Sequence, residues 1–369
     1  MREPLRIAVV ASSRFPIAQP FAGGLEAHVW HLTRALTVAG HEVTLFAGAG
    51  SDLPVDSDRL RAELFEPSAA ARSDVSMPPI EVLQDHHAYL SLMLSFTRNP
   101  GDFDVIHNHS LHHLPVAMGP SVETPMVTTL HTPPTPWLES ALALAPETRC
   151  VAVSRHTAQA WSHVLGSIPV VHNGVQLDHW PIGTGGDDLV WFGRFVPEKG
   201  AHLAIEAARI TGRRLRLAGP ISDEHYFRNR VAPFLGDRVR YEGHLHQNEL
   251  ARLVGSAGAA LVTPVWNEPY GLVVAESLAC GTPVAGFARG GIPEIVGDTA
   301  GVLVPGDDVD ALAEAAEKAF TLDRREVRRR AEEHCSDTAM IDRYTGIYTE
   351  MVDDRERRNT PATAEACPA

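Results

Sequence analysis

The sequence has few cysteines, few aromatic residues and no long hydrophobic run. Its 369 residues include 4 Cys, and 7% are aromatic. The cysteines lie far apart without a C-x-x-C pair, so neither a disulfide framework nor a thiolate zinc site is indicated, and a cytoplasmic location is expected. No apolar run approaches the roughly 18 residues of a transmembrane helix. We therefore expect no membrane span, while peripheral membrane contact and the oligomeric state stay open.

Positive charge is also scarce. Lys and Arg number 32 against 46 Asp and Glu, which gives a net charge of −14. An acidic chain without a basic, aromatic-rich block repels nucleic acid, so a nucleic-acid partner is excluded. An apolar content of 44% is typical of a globular protein. The chain is longer than one ordinary domain, which predicts two domains and a cleft between them.

Short apolar segments alternate with helical patterns along both halves of the chain. This alternation predicts an α/β fold made of two doubly wound, Rossmann-like domains that face each other. The expected strands are residues 5–11, 41–47, 104–107, 126–130, 150–153 and 169–172, then 189–192, 214–218, 239–241, 259–262 and 283–285. We expect domains at residues 1–176 and 189–355, the second with terminal helices packed on its outside. Residues 177–188 form the expected linker and 356–369 an expected disordered tail.

Two loops that follow predicted strands carry the features of a phosphate site. Gly23 and Gly24 lead into a helix whose free N–H groups and dipole favour an anion. The loop does not match G-x-G-x-x-G, which disfavours a nicotinamide cofactor. Arg194 and Lys199, after the first strand of the second domain, suggest a diphosphate clamp. A plain turn and ordinary surface cations remain the alternatives.

Carboxylates and histidines supply the other candidates. Glu268 and Glu276 would lie about 12 Å apart if the span were helical, which is too far for an acid/base pair, so we expect them to contact different parts of one long ligand. His131 ends a predicted strand on the ligand-binding side. The segment from His107 to His113 is rich in histidine but lacks accompanying carboxylates or thiolates, so we predict no metal site there.

Taken in order, these motifs resemble the retaining family 4 glycosyltransferases of GT-B architecture. The segments that carry the resemblance are 23–28, 104–109, 130–131, 153–154, 172–175, 193–200 and the E-x₇-E of Glu268 and Glu276. The resemblance implies that Gly24 donates to the distal phosphate, that Arg194 and Lys199 hold the diphosphate, and that His131 approaches the reacting centre. It also implies that Glu276 holds the ribose and that Glu268 contacts the sugar. The remaining donor-binding residues that it implies are Gly23, Gly193, Tyr270, Gly271, Leu272 and Val273.

The function implied by this resemblance is a metal-independent, retaining hexosyl transfer. The expected donor is a UDP-sugar, either UDP-glucose or UDP-N-acetylglucosamine, bound as a substrate, and no cofactor is expected. The family often has Phe where this chain has Tyr270, which leaves the sugar preference open. Small-molecule, lipid-linked and saccharide acceptors all stay open. The alternatives are a nucleotide-sugar 2-epimerase of similar fold and a catalytically silent nucleotide-sugar-binding subunit.

Overall fold

The computed structural model describes residues 4–52 and 65–359, which form two α/β lobes, each built on one parallel sheet. The N-terminal lobe contains β1 Arg6–Val10, β2 Glu42–Phe46, β3 Val105–Asn108, β4 Met126–Leu130 and β5 Arg149–Ala152. The C-terminal lobe contains β6 Leu189–Phe192, β7 Leu215–Ala218, β8 Val239–Tyr241, β9 Ala259–Val262, β10 Val284–Phe287 and β11 Gly301–Val304. The predicted pair of Rossmann-like domains is confirmed.

Helices cover both faces of the two sheets. In the first half of the chain they are α1 Gly24–Val38, α2 Ala69–Arg72, α3 Ile80–Arg98, α4 His113–Met118, α5 Pro136–Leu144 and α6 Arg155–Leu165. In the second half they are α7 Ala201–Thr211, α8 Glu224–Arg230, α9 Gln247–Ser256, α10 Leu272–Ala279, α11 Ile292–Val296, α12 Val309–Ala319, α13 Arg324–His334 and α14 Asp337–Asn359. Among the described residues, no helix is long and apolar enough to cross a membrane.

The strand orders place one crevice in each lobe. The orders are β2-β1-β3-β4-β5 and β11-β10-β9-β6-β7-β8, with parallel pairing throughout. The central strands are covered on both faces, which explains why they are continuous apolar runs. Ligands of such sheets bind at the carboxyl ends of the two strands between which the order reverses. These strands are β1 and β3 in one lobe and β6 and β9 in the other.

The structure differs from the expected strands at two places. Residues 169–172 make only an isolated bridge, between Ala152 and Val170, because the backbone leaves the sheet there toward the second lobe. The strand β11 was not predicted. It is a short edge strand, only partly buried, and its Gly-rich approach resembles a loop.

The last helix returns to the N-terminal lobe. Met340, Tyr344, Tyr348 and Met351 of α14 belong to the hydrophobic core that contains β1 and α1. The expectation that all of residues 189–355 belong to the second domain therefore does not hold for α14. Its apolar spacing is visible in the sequence, but the spacing does not tell which lobe the helix covers. The helix continues to Asn359, past the expected start of a tail, and residues 360–369 lie outside the described residues.

Candidate active site

The two crevices open into one cleft between the lobes. It encloses a cavity of about 310 Å³, in the size range of small-molecule sites. The N-terminal lobe contributes loops after β1, β3 and β4, and the C-terminal lobe contributes loops after β6 and β9. The predicted residues that line it are Gly23, Gly24, His131, Gly193, Arg194, Lys199, Glu268, Tyr270, Gly271, Leu272, Val273 and Glu276. The structure thus brings all the residues of the predicted site together.

The Gly23-Gly24 turn of one lobe faces the cationic loop of the other. Gly23 is the N-cap of α1, which begins at Gly24. A Cβ atom on Gly23 would lie 3.7 Å from Arg194 Nε and 3.0 Å from Glu26 Oε2. Among the described residues, the side chain of Arg194 forms no ion pair or hydrogen bond, although its carbonyl oxygen accepts from Val196 N at 3.0 Å. Its guanidinium is therefore available to an anion that binds at the start of α1.

The ammonium group of Lys199 is engaged by Glu268. Lys199 Nζ lies 2.5 Å from Glu268 Oε2, which also accepts a hydrogen bond of 3.1 Å from Trp266 Nε1. An ammonium group has three donors, so this contact leaves two for a ligand. Gly200 holds the loop against β9, because it adopts φ 68° and a Cβ there would lie 2.0 Å from the Thr263 carbonyl oxygen. The sequence had suggested that Lys199 and Glu268 serve separate parts of the ligand, whereas here they form a pair.

The two glutamates differ in their surroundings. Helix α10 begins at Leu272, so Glu268 lies in the loop before it, and the spacing of a continuous helix does not apply. Glu276 lies inside α10 and is buried at the cleft wall. Desolvation raises the pKa of its carboxyl group to about 8. Among the described residues no side chain donates a hydrogen bond to Glu276, so its carboxyl oxygens remain available to a ligand in the cleft.

The loop before α10 is tied to the N-terminal lobe. The hydroxyl group of Tyr270 donates to the Asn173 carbonyl oxygen at 2.6 Å. The Pro269 carbonyl oxygen accepts from Ser154 Oγ at 2.5 Å and from Thr157 Oγ1 at 3.2 Å. The hydroxyl that distinguishes Tyr270 from Phe is therefore used in a contact between the lobes. These bonds position the backbone of residues 270–273 at the cleft.

His131 belongs to a group of three histidines. Its Nε2 lies 2.9 Å from His109 Nδ1, and the ring of His28 packs against both imidazoles. Desolvation lowers the pKa of His131 to about 3 and holds the pKa values of His28 and His109 well below the usual range. All three rings are therefore neutral near pH 7. Both ring nitrogens of His28 and Nε2 of His109 are buried without a protein partner.

These three rings are also the described residues best placed to hold a metal ion. Their ligand atoms lie within 4.8 Å of one another, and neutral imidazole is a common metal ligand. The predicted histidine cluster itself divides into three parts. His107 is buried and contacts Tyr348 and Thr129, His109 reaches His131, and His112 and His113 stack near the surface.

Sequence reasoning missed the partners of the predicted residues. Glu26 is buried beside the Gly23 turn, and desolvation raises its pKa in spite of Arg194. Trp266 contacts both Lys199 and Glu268. His28 lies one helical turn after Gly24, on the face that turns to His131. Adjacency to a motif was the available signal for Trp266 and His28.

Two Rossmann-like lobes with cations and a helix N-terminus at one shared cleft are the arrangement expected of a glycosyltransferase of GT-B architecture. A family model described as "Glycosyltransferase Family 4" matches residues 22–179, and one described as "Glycosyl transferases group 1" matches residues 178–335. The chain belongs to the family 4 glycosyltransferases. It is a sugar-transferring enzyme, as the resemblance implied.

Its relatives share most of their length with it. A D-inositol 3-phosphate glycosyltransferase from Frankia alni is 31% identical, with 84% of this chain and 88% of the relative covered. A glycogen synthase from Mycobacterium tuberculosis is 29% identical, covering 84% and 85%. The solved structure of Anabaena HepE in complex with UDP and glucose is 16% identical, with a TM-score of 0.71 over 94% of this chain and all of that one. The last similarity shows the shared fold.

Proposed function

We propose that this protein transfers a hexose from a UDP-sugar to a hydroxyl group of an acceptor, with retention of the anomeric configuration. The observation that carries the proposal is the meeting of Arg194 and Lys199 with the N-terminus of α1 across the cleft. A nucleoside diphosphate needs this kind of site, since its phosphates are matched by fixed cations and backbone donors. The HepE complex, which contains UDP, supports a uridine nucleotide.

Charge development explains why two cations are useful. When the bond between the sugar and the diphosphate breaks, negative charge grows on the β-phosphate. Arg194, the two free donors of Lys199 and the backbone at Gly24 stabilise this charge without being reorganised during the step. The same groups replace the divalent ion that other sugar transfers use. We therefore propose a metal-independent reaction.

The remaining contacts divide the donor along the cleft. Glu276 accepts from the ribose hydroxyl groups, because its carboxyl lies at the cleft wall without a protein donor. Glu268 and the backbone of residues 270–273 contact the sugar, and Lys199 joins the sugar end to the diphosphate through its pair with Glu268. His131 approaches the sugar from the other lobe as a neutral imidazole. Gly193 lets the loop after β6 approach the nucleotide.

The acceptor's proton needs a destination. Neither of the carboxylates that line the cleft is proposed as the base. Glu268 pairs with Lys199, and Glu276 lies further along the chain, inside α10. We propose that the departing phosphate oxygen takes the proton on the same face of the sugar on which the acceptor attacks. Attack and departure on one face give retention. Closure of the lobes would exclude the water that otherwise hydrolyses the donor.

A thermal-shift panel followed by a transfer assay tests the proposal. We expect UDP to raise the melting temperature more than GDP or ADP, and a labelled UDP-hexose to yield a product whose anomeric signal matches that of the donor. Stabilisation by GDP or ADP without UDP would contradict the donor base. An inverted product would contradict the mechanism, and epimerised donor without transfer would contradict the reaction.

A further inference from the structure

Among the described residues, the acceptor's side of the cleft is lined by no acidic or basic side chain of Asp, Glu, Lys or Arg. The described residues that line it from the N-terminal lobe are Phe21, Ala22, Gly23, Gly24, Leu25, Ala27, Leu111, His131, Thr132, Val153 and Asn173. None of them is Asp, Glu, Lys or Arg. A phosphate or carboxylate on the acceptor would find no counter-charge within this wall, at a high desolvation cost, and Arg194, which faces Gly23 across the cleft, is the cation proposed to hold the diphosphate. The wall favours a neutral molecule.

An aromatic stack begins beside this wall. It consists of Tyr89, His112, His113 and Trp137, whose successive ring centroids lie 4.6, 4.4 and 5.4 Å apart with interplanar angles of 24°, 23° and 28°. Tyr89, the inner ring of the stack, is buried. Its hydroxyl group donates to the Ala11 carbonyl oxygen at 2.9 Å and accepts from Ser13 N at 2.9 Å. The outer ring, Trp137, is 73% exposed. The stack thus presents a large aromatic ring that is fixed from below.

The stack is close to the place of reaction. His112 follows Leu111 of the cleft wall directly, and two residues of chain span at most about 7 Å. Trp137 is the second residue of α5, which begins shortly after Thr132 of the same wall. The Thr132 carbonyl oxygen accepts a hydrogen bond of 2.8 Å from Trp161 Nε1, and this bond helps to fix the segment. At most about 18 Å of chain separates Thr132 from Trp137, so a ligand several rings longer than its reacting unit would reach from the cleft to Trp137.

The chemistry of the stack selects among neutral ligands. Desolvation lowers the pKa of His112 to about 4 and lowers that of His113, so both imidazoles are neutral near pH 7. His112 Nδ1 already accepts from Leu114 N at 3.2 Å, so His112 offers its ring N–H to a hydroxyl group, whereas His113 offers one donor and one acceptor. A rigid aromatic face beside such groups suits a ring with an apolar face and polar edges. That description fits a sugar ring better than a lipid chain.

From the uncharged wall and the exposed end of the stack, we infer that the acceptor is a neutral oligosaccharide whose outer ring lies on Trp137. The inference rests on the proposed transfer reaction and specifies its acceptor. The non-reducing or reducing unit that receives the hexose would lie at Leu111, His131 and Thr132. The next units would extend along His113 to Trp137.

An acceptor series tests the inference with the UDP-sugar that the donor screen identifies. The probes are neutral mono-, di- and tetrasaccharides of glucose, galactose and mannose, their 6-phosphates, and p-nitrophenyl glycosides. We expect transfer to neutral saccharides with a KM that falls as the chain lengthens. A preference for the phosphorylated forms, for p-nitrophenyl glycosides over unsubstituted oligosaccharides, or transfer to none of the neutral saccharides would overturn the inference.

Variants of the outer ring separate binding from folding. In Trp137→Ala we expect the KM of the longer saccharides to rise about tenfold, an effect of the size seen when an aromatic anchor is truncated, while the monosaccharide KM changes little. Trp137→Tyr should restore most of the loss. Leu144→Ala is the matched control, because Leu144 is 84% exposed on the same helix and outside the stack. Equal KM values in Trp137→Ala and wild type at every acceptor length would refute the role of the ring.

The experiment also distinguishes this inference from the proposed reaction. Slow release of UDP from the UDP-sugar without acceptor reports the donor chemistry alone. If wild type and Trp137→Ala both release UDP and are both stabilised by it, the donor site is intact. The acceptor series then tests only the assignment of the acceptor. If both are absent in wild type, the proposed function fails first.

Discussion

The two walls of the cleft differ in how they are built. The C-terminal wall carries Arg194, Lys199, Glu268 and Glu276, whereas the described N-terminal wall has no charged side chain. Fixed charge recognises a ligand whose charge is the same in every reaction of the family, namely the diphosphate. An uncharged wall with aromatic and small residues recognises shape. Under the proposed function, the charged wall recognises the donor's diphosphate and the uncharged wall selects the acceptor.

The largest expected effect concerns the cation on the charged wall. We expect Lys199→Ala to lower kcat about 10²–10³-fold, because it removes stabilisation that grows as the leaving group gains charge, a loss of about 2.7–4 kcal/mol. The variant also frees Glu268 of its partner, which adds an unpaired carboxylate beside the sugar. Steady-state kinetics with the identified donor measure the change.

A matched control exists for this variant. Lys318 is the other lysine of the chain, and it is exposed on α12 with a pairing to Glu314 at 3.8 Å. Lys318→Ala should leave kcat unchanged. If Lys199→Ala changed the donor KM alone and left kcat intact, Lys199 would be a ground-state contact, and its place at the leaving group would be wrong.

The next effect concerns donor affinity. We expect Glu276→Ala to raise the donor KM about tenfold to hundredfold with kcat less altered. Hydrogen bonds from the ribose to the ionised carboxylate are alike in ground and transition states and contribute about 1.5–3 kcal/mol. Because burial raises the pKa of Glu276 to about 8, this comparison is made above that pH. Glu206→Ala is the control, because Glu206 is exposed on α7. A variant in which kcat falls while KM holds would place Glu276 at the reacting centre.

The same carboxyl group should make stability depend on pH. Burial raises the pKa of Glu276 to about 8, above the value of about 4.3 expected in the unfolded chain. The native state therefore holds this proton more tightly, and the stability that it contributes is present below pH 4.3 and is lost as the pH rises toward 8. Glu276→Gln cannot ionise. Its melting temperature should exceed that of wild type increasingly from pH 5 to pH 8, and a constant difference would contradict the raised pKa.

The charged wall could be predicted from the sequence because its motifs lie in short segments after strands. The segment 193–200 carries both cations, and the strand before it fixes the edge on which they lie. The pairing of Lys199 with Glu268 could not be predicted, since the two residues come from loops after β6 and β9, whose adjacency is a property of the sheet order. Spacing along one helix was the wrong geometry for Glu268, because the Pro269-containing loop delays the start of α10.

The uncharged wall was predicted in outline only. The sequence showed that His131 ends a strand, but its neighbours His28 and His109 come from α1 and the end of β3. Likewise, the stack joins Tyr89 to Trp137 through two histidines of a third segment. Such contacts arise only when separate elements meet at one edge of a sheet. Return of α14 to the N-terminal lobe was missed for the same reason.

A smaller effect tests whether the uncharged wall stays uncharged. Because burial lowers the pKa of His131 to about 3, the imidazole should be neutral from pH 5 to pH 9. With saturating donor, kcat should change less than about twofold between pH 7.5 and 5.5. An imidazole of ordinary pKa near 6.5 would lose about tenfold of its neutral form at pH 5.5. The ring proton signal of His131, assigned with His131→Gln, should likewise not titrate in this range. A titration near pH 6.5 would show that the wall becomes charged.

The smallest expected effect is that of metal removal. We expect transfer to change less than about twofold in EDTA, because Arg194 and Lys199 stabilise the leaving group. Asp102-Phe-Asp104 has the D-x-D spacing of a divalent-ion site, but it precedes β3, and Asp104 accepts from Arg6 N at 2.8 Å. The three neutral rings of His28, His109 and His131 are the described group that could make this expectation wrong. An ion held there would polarise His131 and bring positive charge to the uncharged wall. Three results together would show that the reaction uses an ion on the acceptor side. EDTA would abolish activity, zinc or manganese would restore it, and His28→Ala would no longer bind the metal. If kcat is unchanged in EDTA and His28→Ala is still active, the acceptor wall works without a bound ion, and charge remains confined to the donor wall.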